Sequence, residues 1–426
     1  MPQNPHRPPL SPEAAQVVRA LQAGRFSRRS MLTGAGALGL GAFLSACSTS
    51  APSANGGSAT GGAGSAAPGG KPTPAADLSD SQKVVNWANW TLYLDFDEDT
   101  KKYPTLEAFQ KQTGIKATYS EDIEDNDSYY GKVQAQLKAG QDIGKDVIVL
   151  TDYMAARVIR QGLVQPLVES AIPNKKNLLP NLVDVSFDKG RTQSLTYQSG
   201  FTGFAWNKAK VPGGIRTIED LWNPELKGRV EVLSEWRDTL GVIMMSQGKR
   251  VDGAFTDDDF NNALAVLEKQ LNSGQIRQVK GNSYKEDLIS EDALAVIGWS
   301  GDIYQLVAEN GDKWQFELPE SGGVMWNDNM LIPVGSPHAK NASILMNYYY
   351  DPKVAAEVAA YVNYVCPVVG AKEAIAANPD KEVAALADSP LIFPTDDYLK
   401  KVQVFVALEP EKETQYTEAF QKVLGN

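Results

Sequence analysis

The residues best placed to do chemistry are tryptophans and carboxylates at the predicted ends of strands and starts of helices. Trp326 and Asp328 stand two residues apart in a segment that alternates apolar and polar residues after two glycines. That alternation predicts a strand, on which both side chains point to the same face. An indole beside a carboxylate suits an organic cation, because the ring quadrupole and the full charge both attract it. A core tryptophan beside a solvated aspartate would show the same spacing.

The same combination of aromatic rings and acids recurs in both halves of the chain. The further positions are Trp90, Tyr93, Thr151, Tyr153, Glu235, Asp238 and Trp299. Ligands of open parallel sheets lie beyond the carboxyl ends of the strands, where these residues are predicted to fall. Ser234 is a favourable N-cap, which would place Glu235 and Asp238 on one face of a first helical turn. Acids at that place also simply oppose the helix dipole. Together, the residues predict an acidic, aromatic-lined cleft between two lobes.

The elements that must position these residues follow from periodicity and from helix-breaking residues. Strands are predicted at 84–90, 115–119, 147–150, 229–233 and 294–299, and helices at 105–111, 129–138, 151–160 and 343–361. Strands and helices that alternate at this spacing indicate an α/β fold with mainly parallel sheets. The segments 206–211 and 323–328 are predicted to cross between the lobes and to contain hinges.

The composition narrows the classes of function. The 426 residues include 41 basic and 52 acidic side chains, a net charge of −11. That charge argues against nucleic-acid binding and is compatible with a cationic ligand. The histidines are His6 and His338, and the cysteines are Cys47 and Cys366. Removal of the predicted export signal would leave His338 as the one histidine, which argues against a multi-histidine metal site and a Ser-His-Asp triad. We predict no enzyme activity, no metal and no cofactor. His338 is predicted to be a loop residue.

The acidic segment 121–127 invites a calcium-binding interpretation. It lacks the glycine turn and the distal glutamate of an EF-hand loop, so we predict a solvated loop instead.

Residues 1–47 are predicted to be an export signal. Two arginines at 28–29 precede an apolar run at 31–46, which is short for a membrane span. The arrangement resembles a twin-arginine (Tat) signal. Met and Thr at positions 31 and 33 replace the Phe and Lys most often found there, so the general secretory route stays open.

The end of the apolar run carries a second targeting signal. LSAC at 44–47 resembles the lipobox of bacterial lipoproteins, which implies a lipid on Cys47 as the first mature residue. Residues 48–82 are rich in Gly, Ala, Ser and Pro at their start and are predicted to be a flexible tether.

Five segments of the chain together resemble the spermidine/putrescine-binding proteins, the solute receptors of polyamine ABC importers. The segments are NWTLY at 89–93, VLTDY at 149–153, SEWRD at 234–238, IGWSG at 297–301 and GGVMWND at 322–328. The resemblance runs from about residue 83 to about residue 375. It implies a two-lobe, periplasmic-binding-protein-like α/β fold, in which each lobe is a mainly parallel sheet flanked by helices and the ligand lies between the lobes.

The resemblance also implies roles for the site residues. Those that would pack against the methylene chain and amines of a polyamine are Trp90, Trp299, Trp326, Tyr93 and Tyr153. Those that would hold its nitrogens are the carboxylates of Glu235, Asp238 and Asp328 and the hydroxyl of Thr151.

Three features depart from the family pattern and leave the preferred polyamine open. The acids Glu235 and Asp238 occur in the reverse of the usual order, Asp then Glu. Asp152 is an acid where a small polar residue is usual. A C-terminal glutamine that contacts ligand in some members has no clear counterpart.

The sequence therefore predicts an extracytoplasmic receptor that closes over a polyamine by hinge bending and then docks on a membrane permease. The predicted lobes are 83–208 with 328–380, and 209–327 with 381–426. We expect a monomer in the periplasm or cell-wall space, held at the outer face of the cytoplasmic membrane only through its lipid. The alternatives are a sugar or amino-acid receptor, and an exported glycosidase that uses a carboxylate pair.

Overall fold

The computed structural model of the protein describes residues 70–253 and 255–425. The predicted export signal, Cys47 and most of the tether lie outside these residues. All described residues belong to one compact unit, Gly64–Asn426. No helix among them combines the length and the apolar character that a membrane crossing would require.

Strands and helices alternate in the first part of this unit. They are β1 (Val84–Trp90), α1 (Pro104–Thr113), β2 (Lys116–Ile123), α2 (Asn126–Lys138), β3 (Val147–Thr151), α3 (Asp152–Arg160), β4 (Val164–Gln165), β5 (Asp184–Val185), β6 (Asp188–Lys189) and β7 (Ser194–Asn207). The apolar start of β3 is fully buried, as is usual for a parallel strand covered on both faces. Gly114 ends α1 with a left-handed φ of 69°.

A second alternating series follows and includes the other long strand. Its elements are α4 (Ile218–Leu221), β8 (Val230–Leu233), α5 (Trp236–Ser246), α6 (Asp257–Asn272), β9 (Ile276–Lys280), α7 (Tyr284–Ile289), β10 (Ala295–Trp299), α8 (Ser300–Asn310), β11 (Trp314–Glu317) and β12 (Gly323–Pro333).

The C-terminal part is mainly helical. It comprises α9 (Ala339–Tyr349), α10 (Pro352–Val362), α11 (Ala371–Ala376), α12 (Lys381–Ala385), α13 (Asp396–Leu399), β13 (Val402–Val404) and α14 (Pro410–Leu424). The helical stretch predicted at 343–361 consists of parts of two helices. Pro352 has no amide hydrogen to continue a helix, and it begins α10 with Asp351 as the N-cap.

One sheet runs through the unit in the strand order β2-β1-β3-β12-β7-β10-β8-β9. The first lobe is built on β1, β2 and β3, which pair in parallel, and the second lobe is built on β8, β9 and β10, of which β8 pairs in parallel with both others. The long strands β7 and β12 pair antiparallel at the centre, and each also joins a lobe, β12 through β3 and β7 through β10. The predicted two-lobe α/β fold is confirmed.

The prediction that Ser234 caps a helix is wrong. The N-cap of α5 is Glu235, and its side chain makes no capping bond. The Ser234 hydroxyl instead donates to Asp125 at 2.6 Å. Asp125 also accepts from the Ser128 amide as the N-cap of α2. The acidic segment 121–127 is therefore mostly the end of β2 and the start of α2, and not a solvated loop.

His338 lies outside the helices and strands, as predicted, and directly precedes α9. His338 is the N-cap of α9 and is 6% exposed. Its Nδ1 lies 2.9 Å from an oxygen of Asp146, and its Nε2 lies 2.7 Å from the amide oxygen of Gln82. The ring therefore links the core of the first lobe to the segment before β1.

Candidate functional site

A cavity lies between the lobes and beside the central strand β12. Its empty volume is about 690 Å³, and all nine residues predicted as site residues line it. Further lining residues that were not predicted as site residues are Thr91, Asp152, Arg237, Asn282, Asp302, Val324, Met325, Tyr364, Val404 and Phe405. The predicted set is thus gathered in one place by elements from both lobes.

Asp328 lies on β12 opposite Thr151, the last residue of β3. Its carboxylate oxygens accept hydrogen bonds from Tyr93 Oη at 2.9 Å and from Thr151 Oγ1 at 2.7 Å. The residue is 3% exposed, and this burial raises the pKa of its carboxyl to about 7, with the nearby charges of Asp152 and Asp238 adding to the rise. This carboxyl therefore keeps its proton to a higher pH than an exposed aspartate would.

Glu235 extends from the start of α5 to the first lobe. One carboxylate oxygen accepts from the backbone and side-chain amides of Asn126, at 2.9 and 2.8 Å. The other accepts from Tyr153 Oη at 2.7 Å. Burial raises the pKa of Glu235 well above its ordinary value, and the charges of Asp125 and Asp127 raise it further.

Asp238 lies in the first turn of α5. It accepts hydrogen bonds from Thr202 Oγ1 at 2.6 Å and from the indole nitrogen of Trp299 at 3.2 Å. Burial raises its pKa to about 6. The indole nitrogen of Trp326 donates to the same threonine hydroxyl at 3.2 Å, so Thr202 joins the aromatic wall to this acid.

The aromatic wall consists of indoles packed edge to face. The ring centroids of Trp90 and Trp299 are 6.1 Å apart at an interplanar angle of 80°, and those of Trp299 and Trp326 are 6.3 Å apart at 75°. Gly200 on β7 is the register partner of Trp326, and a Cβ at this position would overlap the indole. Such rings can contact both methylene groups and cationic amines.

Asp152 is the counter-ion of a buried cation within the protein. Its oxygens accept from the side-chain amides of Asn327 at 2.7 Å and Asn329 at 2.8 Å. The Asn329 oxygen in turn accepts from Arg191 Nη1 at 2.8 Å. Asp152 therefore supplies the counter-charge of Arg191 through an amide, and it holds β12 on both sides of Asp328. The partners are too distant in the chain for the sequence to reveal this link.

Asp302 lies in the first turn of α8 and is paired with a lysine. Its Oδ1 lies 3.0 Å from Lys285 Nζ and accepts from the hydroxyl of Tyr364, and its Oδ2 accepts from the hydroxyl of Tyr284 and the amide of Asn282. Its position shortly after the end of a strand could have identified it from the sequence as a cavity residue. Its charge is neutralised inside the protein, unlike those of the predicted acids.

The C-terminal strand β13 closes one side of the cavity with apolar groups. It runs parallel to the start of β12 and brings Val404 and Phe405 to the lining. The side chain of the preceding Gln403 accepts from the Val251 amide at 2.8 Å instead. A strand of three residues carries too little periodicity to be predicted.

The arrangement has the chemistry of a binding site for an organic cation. Carboxylates occur at several points around rings that exclude water, and charge-assisted hydrogen bonds are strong in such surroundings. No cluster of His, Cys, Asp or Glu side chains suited to a metal ion occurs among residues 70–253 and 255–425.

Comparison with known proteins places the chain among solute receptors. The sequence model of the bacterial extracellular solute-binding proteins matches residues 105–387. The chain is similar to spermidine/putrescine-binding periplasmic protein 1 of Haemophilus influenzae, with 27% identity over 325 residues, which cover 75% of this chain and 85% of that protein. It is also similar to the putrescine-binding periplasmic protein PotF of Escherichia coli, with 26% identity over 364 residues, covering 81% and 92%.

A solved structure has the same fold over most of the chain. The structure of a putative spermidine/putrescine ABC transporter protein from Listeria monocytogenes aligns with a TM-score of 0.69 and 26% identity, and the alignment covers 80% of this chain and 99% of that one.

Proposed function

The chain belongs to the bacterial extracellular solute-binding protein family, and we propose that within this family it binds a polyamine, spermidine or putrescine, and delivers it to the permease of an ABC importer. The relatives named for these two ligands cover most of the chain. Like them, it acts outside the cytoplasm, and we expect no enzymatic activity.

One observation carries this proposal. Each of the three predicted acids is hydrogen-bonded within the described structure only to neutral donors, which are Tyr93, Thr151, Asn126, Tyr153, Thr202 and Trp299. The buried carboxylates of Asp302 and Glu413, by contrast, face a lysine and an arginine. The three acids thus have no hydrogen-bonded partner of opposite charge within the described structure, and a ligand with several ammonium groups would supply such partners.

The aromatic walls support an amine with a hydrocarbon chain over a compact cation. Trp90, Trp299 and Trp326 present apolar ring surface between the acids. Methylene groups that leave water against such surface contribute about 25 cal/mol per Å². A sugar brings no positive charge, and a neutral amino acid brings one ammonium together with a carboxylate that the acids would repel, so neither alternative explains the site as well.

We also propose that the lobes close by bending at the crossing strands. The suggested lobes are 83–208 with 328–380, and 209–327 with 381–426. Two contacts support this division, because α9 packs on β1 of the first lobe and α14 packs on α6 of the second lobe. The candidate hinges, 206–211 and 323–328, then coincide with the end of β7 and the first half of β12. A ligand that bridges Glu235 and Asp328 would favour the closed form.

The remaining parts of the proposal concern the membrane. A lipid on Cys47 would hold the monomer near its permease, and export by the twin-arginine or the general secretory route would deliver it there. Growth with radiolabelled palmitate, followed by purification of the wild-type chain and of Cys47→Ala, tests the lipid. We expect label in the wild type alone.

Calorimetric titration tests the ligand. The chain without its predicted export signal is titrated with spermidine and putrescine, at low and high salt, with glucose and glutamate as controls. We expect heat with a polyamine alone, weaker binding at high salt, and loss of binding in Trp326→Ala. Heat with a control and not with either polyamine would refute the proposal.

A further inference from the structure

We propose that Glu413 is a positioning residue of the ligand site, which holds the guanidinium of Arg237 away from the cavity carboxylates and so leaves them available to a ligand cation. The inference rests on the proposed function for the choice of ligand. The contacts that carry it lie within the protein.

Arg237 brings a positive charge to the wall of a cavity suited to cations. It stands in the chain between Glu235 and Asp238, lines the cavity and is 5% exposed. Its guanidinium carbon lies 3.6 Å from the ring centroid of Tyr153, whose hydroxyl donates to Glu235. One aromatic ring therefore separates this cation from a cavity acid. Direct pairing with either acid would occupy the oxygens that a ligand amine needs.

The guanidinium also has hydrogen-bond donors that lack a partner among the described residues. Its Nη2 donates to Glu413 at 2.8 Å, whereas its Nε and Nη1 are buried and have no hydrogen-bond partner among the described residues. A desolvated donor without a partner is unfavourable. The guanidinium of Arg237 would therefore form a hydrogen-bonded ion pair with any carboxylate within its reach. Glu413 and the stack on Tyr153 fix it where it cannot reach Glu235 or Asp238.

Glu413 is held by three arginines from two helices. On α3 of the first lobe, Arg157 and Arg160 lie 3.3 Å from its oxygens. On α5 of the second lobe, Arg237 makes the shortest of the three contacts, at 2.8 Å. The C-terminal helix α14 thereby joins the two helices whose first turns supply cavity residues.

Removal of the Glu413 charge would affect these arginines unequally. Arg157 also pairs with Asp127 at 2.8 Å, and the side chain of Arg160 is 41% exposed and can be hydrated. Among the described residues Arg237 makes no other ion pair. It is therefore the arginine that would be released toward the cavity acids.

A double-mutant cycle tests this role. Spermidine is titrated into the wild type, Glu413→Gln, Arg237→Gln, the double variant, and Arg160→Gln as a matched control that contacts Glu413 without lining the cavity. We expect Glu413→Gln to bind at least tenfold more weakly and Arg160→Gln to stay within threefold of the wild type. Because the released cation is absent from the double variant, its affinity should return to within threefold of Arg237→Gln.

A merely structural Glu413 gives a different pattern. The double variant would then bind as weakly as Glu413→Gln, and that result, or unchanged binding by Glu413→Gln, would overturn the inference. If Glu413→Gln does not fold, the same cycle is run with Glu413→Asp, which keeps the charge and withdraws it by one methylene from Arg237.

A readout without ligand separates this inference from the proposed function. Carbon-13 NMR titration of the Asp238 carboxyl should show a lower pKa in Glu413→Gln, because the guanidinium approaches it, and a return toward the wild-type value in the double variant. If the wild type binds no polyamine, the proposed function fails and this titration still decides the role of Glu413. An unchanged Asp238 pKa in Glu413→Gln would refute it.

Discussion

Replacing Asp328 with asparagine removes one negative charge from the cavity and keeps the size of the side chain. In the wild type both carboxylate oxygens accept from hydroxyls, those of Tyr93 and Thr151. The amide oxygen can keep one of these bonds, while the amide nitrogen faces the other hydroxyl. We expect two opposite effects from this single change: weaker polyamine binding and a more stable empty protein.

The loss of affinity follows from one charge-assisted hydrogen bond. Such a bond contributes about 1.5–3 kcal/mol, and each 1.4 kcal/mol is about tenfold in affinity. Asp328→Asn should therefore bind spermidine roughly 10- to 150-fold more weakly at pH 8. The wild-type carboxyl has a pKa of about 7 when the cavity is empty, so at pH 6 it must release a proton as the amine binds. That release costs about 1.4 kcal/mol per pH unit, so the gap between the two proteins should shrink about tenfold.

The gain in stability follows from the same pKa. Burial raises it from 3.8 to about 7, so the folded protein binds this proton more tightly than the unfolded chain does. The favourable contribution is complete below pH 3.8 and is lost as the pH rises to about 7. At pH 8 the buried charge costs the fold roughly 4 kcal/mol, at 1.36 kcal/mol per pKa unit. Asparagine should recover about half of this or more, because its amide is neutral but imperfectly bonded.

Two assays measure these effects. Calorimetric titration at pH 6, 7 and 8, in buffers of different ionisation enthalpy, gives the affinity and the protons released. Urea unfolding without ligand, at pH 5 and pH 8, gives the stability. Asp397→Asn, at a side chain that is 88% exposed, is the matched control and should change neither quantity. Wild-type affinity in Asp328→Asn at pH 8 would show that this carboxylate does not hold the ligand, and unchanged stability at pH 8 would contradict the argument from burial.

Three further substitutions separate binding from folding. Glu235→Gln should weaken spermidine binding about tenfold or more in calorimetry, because a glutamine keeps neutral bonds but not the charge; equal affinity would remove Glu235 from the site. Gly200→Ala should also weaken binding about tenfold or more and shift the tryptophan emission, because the new methyl displaces Trp326; unchanged emission and affinity would contradict the close approach. His338→Ala should keep wild-type affinity and lower the urea-measured free energy of unfolding by about 1–3 kcal/mol, because Asp146 loses a buried partner. A weaker ligand affinity would contradict this separation, since it would show that the packing around His338 influences the cavity.

The site could be predicted because its residues carry local signals. Trp90 and Trp299 are the last residues of strands, Thr151 joins a strand to a helix, and Asp238 lies in a first helical turn. The carboxyl ends of parallel strands in an α/β sheet lie along the same edge. Residues at these ends can therefore be expected to be neighbours in space. The α/β class followed from the alternation of strands and helices, and the strands predicted at 84–90, 115–119, 147–150, 229–233 and 294–299 have bounds within four residues of the observed ones.

The contacts that tune the site could not be predicted in this way. Glu413 stands in a segment rich in charged residues, and α14 is a helix whose pattern is typical of an exposed surface. Its burial depends on α3 and α5, which are more than 150 residues away in the chain. The pairing of Asp152 with Arg191 through Asn329 is equally remote. Ser234 was misjudged for the same reason, because the partner of a serine hydroxyl is decided by the groups that the tertiary fold brings near it.

The place of β12 in the sheet sets a condition on protein synthesis. Strand β12 begins at residue 323 and inserts between β3 and β7, both of which are made well over 100 residues earlier. A ribosome that stops before residue 323 therefore releases a chain in which neither lobe is complete, and one edge of β3 and one edge of β7 lack their neighbour. Unpaired edges of this kind promote aggregation and expose the backbone to proteases. We therefore expect a truncated product to be degraded, so the last quarter of the chain determines whether the first three quarters can form the complete sheet.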